Sequence, residues 1–178
     1  MRALEPDATN TWVVVGGNFG TCGGQTHGNL ARVSVAGLTV DASWNPSTNG
    51  RVLTLAADSS GIFVGGEFSS LTDPNTTYPR YRIGKVATDG SVDPWNSAYV
   101  PSSGDVSQNT AKSVRAMDVA SGRVFASWGD SVNKTVIYDQ ATAAFVSQWV
   151  SDGDTQVVLA SGGNVYVGGH WFRDMGPT

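Results

Sequence analysis

Few side chains in this sequence have the types and spacing that chemistry needs. Its histidines are His27 and His170, and its single cysteine is Cys22. Cys22 and His27 share a Gly-rich loop and could hold a soft metal, but two ligands are too few for a closed zinc site, so no metal is expected. Asp152-Gly-Asp154 is rich in oxygen but lacks the regular ligand spacing of a calcium loop. The glycines Gly16-Gly17 and Gly23-Gly24 do not open a helix after a strand and are no phosphate cradle. Asp41 and Asp93 recur at matching places before Trp44 and Trp95, which reads as a turn or strand-end role rather than acid–base chemistry. No catalytic residue and no cofactor is expected.

The most distinctive polar stretch is Asp73-Pro-Asn-Thr-Thr-Tyr78-Pro-Arg80-Tyr81-Arg82. Tyr78, Tyr81, Arg80 and Arg82 could stack on a sugar ring and donate forked hydrogen bonds, and Asp73 belongs to the same candidate ligand-binding stretch. The plainer alternative is that the tyrosines pin a long loop to its own sheet. Asn75-Thr-Thr and Asn133-Lys-Thr match the glycosylation pattern, which matters only in a suitable host.

The elements that must position these residues are short strands. The chain has 178 residues, 22 of them Gly, with 40% hydrophobic and only 15% charged. That mixture suits strands joined by tight turns and is too apolar for disorder. A net charge of −4 with scattered basic residues gives no support for a nucleic-acid partner. One cysteine excludes an intramolecular disulfide. No apolar run approaches the ~20 residues of a membrane span, and the N-terminus lacks a charged segment followed by an apolar one, so no signal peptide is expected in it.

Three anchors repeat in the same order. Trp12-Val-Val-Val-Gly-Gly-Asn-Phe19, Ile62-Phe-Val-Gly-Gly-Glu-Phe68 and Val165-Tyr-Val-Gly-Gly-His-Trp171 share a strand ending in paired glycines, with Val124-Phe-Ala-Ser-Trp128 as a degenerate copy; Gly16 and Gly65 lie 49 residues apart. The tryptophans of Val40-Asp-Ala-Ser-Trp44, Val92-Asp-Pro-Trp95 and Phe145-Val-Ser-Gln-Trp149 are separated by 51 and 54 residues. Each unit opens on a short strand: Arg2-Ala-Leu4, Val52-Leu-Thr-Leu55, Val114-Arg-Ala-Met117 and Thr155-Gln-Val-Val158. The repeats run approximately 1–50, 51–112, 113–153 and 154–178, the last incomplete. Each full one reads as four strands; in the first these are residues 2–4, 12–15, 30–35 and 39–44. The repeated Trp is expected to pack between neighbouring units.

The Arg-Ala-Leu opening, the Val-Gly-Gly-x-Phe strand end, the Leu-Ala-Arg-Val strand and the Val-Asp-x-x-Trp-Asn-Pro closing resemble the delta-sixty type of bacterial β-propeller repeat, a kelch-like architecture. The resemblance implies an all-β chain of about three and a half four-stranded antiparallel blades, a partial propeller. It also implies a place in secreted or cell-surface bacterial proteins. Because a ring normally needs at least four blades, the chain is expected to self-associate or to be part of a longer one. The longer links, residues 20–29, 69–80 and 97–112, fall at one end of the strands, which is the expected functional face. The function expected is a non-catalytic binding or display scaffold whose partners are glycans or other proteins. The alternatives are a fragment of a carbohydrate-active propeller enzyme and a purely structural spacer.

Overall fold

In a computed structural model, residues 1–97, 99–101, 113–129 and 132–171 are described, together with the backbone of 176–177. The described residues form an all-β chain without helices, built from several small antiparallel sheets, none of them closed. The chain divides into two compact units, Met1–Pro94 and Trp95–Thr178.

The first unit begins with β1 (Ala3–Pro6), β2 (Trp12–Gly16), β3 (Thr21–Cys22), β4 (Gln25–Thr26) and β5 (Leu30–Ser34). It continues with β6 (Ser47–Thr48), β7 (Val52–Asp58), β8 (Gly61–Gly66), β9 (Ser70–Thr72), β10 (Thr77–Pro79) and β11 (Ile83–Ala87). Two sheets have the same plan, β1-β2-β5 and β11-β8-β7. In each, the glycine-ended strand is central, and Val14, Ile62 and Val64 from these strands join Leu30, Leu55, Phe68 and Leu71 in one core.

The expected fourth strands shrink to single bridges, Val33 to Val40 and Val86 to Val92. The cause is local. After Val40, Asp41 Oδ1 accepts the N–H groups of Ser43 and Trp44, drawing donors away from a ladder. After Val92 and Asp93, Pro94 has no N–H to give. In the third repeat the matching run Phe145-Val-Ser-Gln-Trp149 has neither device, and a full strand forms.

Both links that read as long loops in this unit contain hairpins. Gly23 and Gly24, at φ of +56° and +79°, make the two-residue turn between β3 and β4, whose mirror-image geometry suits the strand twist. Residues 70–79 form the hairpin β9–β10, which β6 extends to a three-stranded sheet. The link 97–112 lies largely outside the described residues.

The second unit contains β12 (Val114–Ala120), β13 (Arg123–Trp128), β14 (Lys134–Asp139), β15 (Phe145–Val150), β16 (Thr155–Ser161), β17 (Asn164–Gly169) and β18 (Gly176–Pro177). The first four pair in chain order with β18 at the edge, and β16–β17 is a separate hairpin. Ala116, Phe125, Ile137 and Val158 form its core. A register shift recurs at one place in three repeats, between Val52 and Thr54, Val114 and Ala116, and Thr155 and Val157. Such a bulge is a designed local feature, and its recurrence ties these three copies together beyond sequence spacing.

The tryptophan anchors sit between repeats within each unit. Trp44 is buried with its ring against the turn at Gly90, whose missing side chain would lie 3.1 Å from Trp44 Cδ1. Trp95 meets Tyr138 edge-on, ring centres 5.9 Å apart, and its indole N–H points to the Asp139 carbonyl at 3.4 Å.

Candidate functional site

The hairpin β9–β10 carries the stretch singled out above, and its fold decides where those side chains point. Asp73 is buried at the tip. Its Oδ1 accepts the N–H groups of Asn75 and Thr76 at 3.0 and 2.9 Å, and its Oδ2 that of Val92 at 3.3 Å. Burial works against ionisation of Asp73, but these N–H bonds prevail and hold its carboxyl below the ordinary value. The tip therefore folds back beside residues 89–93, at the other end of the strands from where the hairpin begins.

Arg80 is buried too. It donates to the carbonyls of Pro79 and Asp93, both at 2.9 Å, and lies 5.6 Å from the centre of the Tyr78 ring. Arg82, at φ +66°, donates to the carbonyls of Glu67 and Phe68, its guanidinium 4.6 Å from the Tyr81 ring. Tyr78 and Tyr81 are half-buried. Asp73, Arg80 and Arg82 thus tie the hairpin to its own unit, and each arginine covers a neighbouring tyrosine ring.

Among the described residues, this unit has a polar cleft and an apolar one. The roomier is polar, with an accessible interior of about 220 Å³ walled by Ser43, Asn45, Asp73, Asn75, Asp89 and Ser91. Asp89 accepts from its neighbour Ser91, the hydroxyl at 2.7 Å and the N–H at 2.9 Å, and these bonds lower its carboxyl pKa. The cleft therefore presents two ionised carboxylates with hydroxyl and amide groups between them. Of the residues expected to bind, only Asp73 reaches it. Ser43 and Asn45 come from the Asp41 turn of the first repeat, and Asp89 and Ser91 from the β11 turn of the second. Asp-x-Ser recurs at both turns, a signal in the sequence that local reading leaves as turn chemistry.

The other cleft is lined by Trp12, Val14, Trp44, Ile62 and Ala87, with Asp7, Thr9 and Asp58 at its rim. Its accessible interior is about 50 Å³, room for about three to five waters at the ~10–15 Å³ each needs. Arg32 forms one wall, 4.6 Å from the Trp12 ring and 5.6 Å from Trp44, donating to Asp41 and to the Thr88 carbonyl, both at 2.8 Å. Such a space suits a ring edge or a methyl group.

The remaining candidates are dispersed. Cys22 is a half-buried free thiol, and His27 is buried with no hydrogen-bond partner at either ring nitrogen among the described residues. His170 is exposed beside Gln156. Among the described residues no group of three or more His, Cys, Asp or Glu could hold a metal ion. No helix among the described residues is long and apolar enough to cross a membrane. No family model matches the chain, and no curated protein matches it either.

Proposed function

We propose that the four repeats are blades of a kelch-like β-propeller of the delta-sixty type, and that the chain is a non-catalytic binding or display scaffold of a secreted or surface protein. The recurrence of the bulge and of the tryptophan contact in successive repeats supports the blade reading.

The polar cleft carries the binding reading. Its walls come from turns and a hairpin tip locked by backbone bonds to Asp41, Asp73 and Asp89, so little ordering is needed on binding. Two carboxylates favour a partner that offers donors and disfavour an anion. The partner class is therefore a neutral or amino sugar, or a protein loop presenting N–H and O–H groups.

Saturation-transfer NMR with a panel of neutral, amino and acidic oligosaccharides tests this. Transfer to a neutral or amino sugar is expected, and Asp89→Ala and Asn75→Ala should reduce it at least tenfold. Transfer only to acidic sugars, or transfer unchanged in both variants, would remove the cleft from consideration.

A further inference from the structure

Within each unit, one repeat lays the same face on the next. The β-pairing register makes Val14, Phe125 and Tyr166 equivalent, each two residues before the end pair Gly16-Gly17, Ser127-Trp128 or Gly168-Gly169, and places Glu5, Asp118 and Leu159 opposite them. Val14, with Ala3, packs in the first unit against Leu55, Ile62 and Val64 of the following repeat. Ala116 and Phe125 pack in the second unit against Val158, Val165 and Val167 of theirs. Leu55, Ile62 and Val64 occupy the same register as Val158, Val165 and Val167, and as Leu4, Val13 and Val15 of the first repeat.

Of the faces not used inside a unit, two with exposed apolar side chains are complementary. The onward face of the last repeat is Val157, Leu159 and Tyr166, which are 58%, 53% and 56% exposed. The receiving face of the first repeat is Leu4, 54% exposed, with Val13 and Val15 half-buried. Three exposed apolar side chains on one sheet face are uncommon without a partner.

A polar detail matches as well. At each contact inside a unit a carboxylate on the onward face accepts a backbone N–H of the receiving strand: Glu5 Oε1 from Ala57 at 3.2 Å, and Asp118 Oδ2 from Ala160 at 2.6 Å. On the leftover onward face that acceptor position is Leu159. On the leftover receiving face the donor position is Pro6, which has no N–H. Acceptor and donor are missing together, so a contact between these faces leaves neither group unsatisfied.

We infer that the Val157, Leu159 and Tyr166 face docks on the Leu4, Val13 and Val15 face of a second copy of this chain, head to tail. The contact repeats the packing already inside each unit and does not depend on what the polar cleft binds. Being heterologous, it builds closed rings or open arrays according to the rotation between copies.

Sedimentation velocity on the full chain and on Leu4→Asp and Leu159→Asp tests it, with circular dichroism to confirm that the strand content is kept. Wild type should gain mass with concentration. Each variant alone should stay monomeric, its association weakened more than tenfold. An equimolar mixture of the two should form a one-to-one dimer and nothing larger, since only one good head and one good tail remain. A wild type that is monomeric throughout, variants that still associate alone, or a mixture that fails to pair would each overturn the inference.

Discussion

Lys85 Nζ lies 2.6 Å from Asp58 Oδ2, and the two side chains are only 6% and 10% exposed. The ammonium also meets the Ser60 hydroxyl at 2.7 Å and the face of Phe63 at 4.6 Å. The other oxygen, Asp58 Oδ1, accepts the N–H groups of Ser60 and Gly61 in the β7–β8 turn. One ion pair therefore links β11 to the turn of its own sheet. Removing one partner strands the other charge in a poorly solvated place, at about 3–5 kcal/mol.

Lys85→Ala should thus unfold at clearly lower urea than wild type, while Lys85→Met with Asp58→Asn should recover a good part of the loss. A double-mutant cycle by urea unfolding measures the coupling. Values additive to within about 0.5 kcal/mol would show that the pair does not act as a unit.

The Arg32–Asp41 pair predicts how stability changes with acid. Burial alone would raise the Asp41 carboxyl, but bonds from Ser43 and Arg32, with the Arg32 charge, bring it from 3.8 down to about 2. A depressed folded value means that the contribution is whole above about pH 4 and is lost as pH falls towards 2. With both side chains partly screened, on the order of 1–2 kcal/mol is at stake. Urea midpoints for wild type and Asp41→Asn, measured from neutral pH downwards, should differ by a constant amount until about pH 4 and then converge. A difference that persists to pH 2 would place the Asp41 contribution outside its charge.

These turns show which parts of the architecture can be read from sequence. The glycine pairs and tryptophans keep their spacing because each meets a repeated constraint, a close backbone approach or a neighbouring repeat, and both are legible. The early end of the fourth strand is legible in principle, since Asp41 and Pro94 act on their immediate neighbours. The hairpin in residues 20–29 is signalled by Gly23-Gly24, a turn pair as well as a flexible one. The fates of Arg80 and Arg82 are another matter. In sequence they are exposed donors beside tyrosines; in the fold the carbonyls of Asp93, Glu67 and Phe68 claim them. That outcome depends on how far the β9–β10 hairpin folds back, a non-local fact. The polar cleft is hidden for the same reason, because its walls come from turns more than forty residues apart in the chain, Ser43 and Asp89 among them.

His27 offers a test of buried polarity. It is 1% exposed with both ring nitrogens unpartnered among the described residues, and a desolvated polar group left unpaired costs about 1–3 kcal/mol. His27→Leu keeps apolar volume and removes that cost, so thermal unfolding should show equal or higher stability, by about 1 kcal/mol. His27→Ala leaves a void and should lose about 2 kcal/mol or more. A Leu variant as damaged as the Ala variant would mean that the imidazole holds a bond, for instance to a buried water.

The paired glycines divide by what lies over them. A methyl group on Gly66 would fall on the Arg51 carbonyl oxygen, and one on Gly169 on that of Asp154. Backbone cannot swing aside as a side chain can, so Gly66→Ala should cost about 1–3 kcal/mol as an overpacking change. Gly168 stands one residue before Gly169, and a methyl group there meets nothing closer than Val157 Cβ at 3.8 Å. Gly168→Ala should therefore be neutral or gain about 0.4–1 kcal/mol by stiffening the unfolded chain. In the third repeat Trp128 occupies the register of Gly66 and is wholly buried, so the approach that excludes a side chain at Gly66 is open there. Calorimetry on the two alanine variants decides the matter. Equal losses at Gly66 and Gly168 would mean that the pair is needed for chain flexibility, and a loss at Gly66 alone would assign it to the close passage of the Arg51 carbonyl.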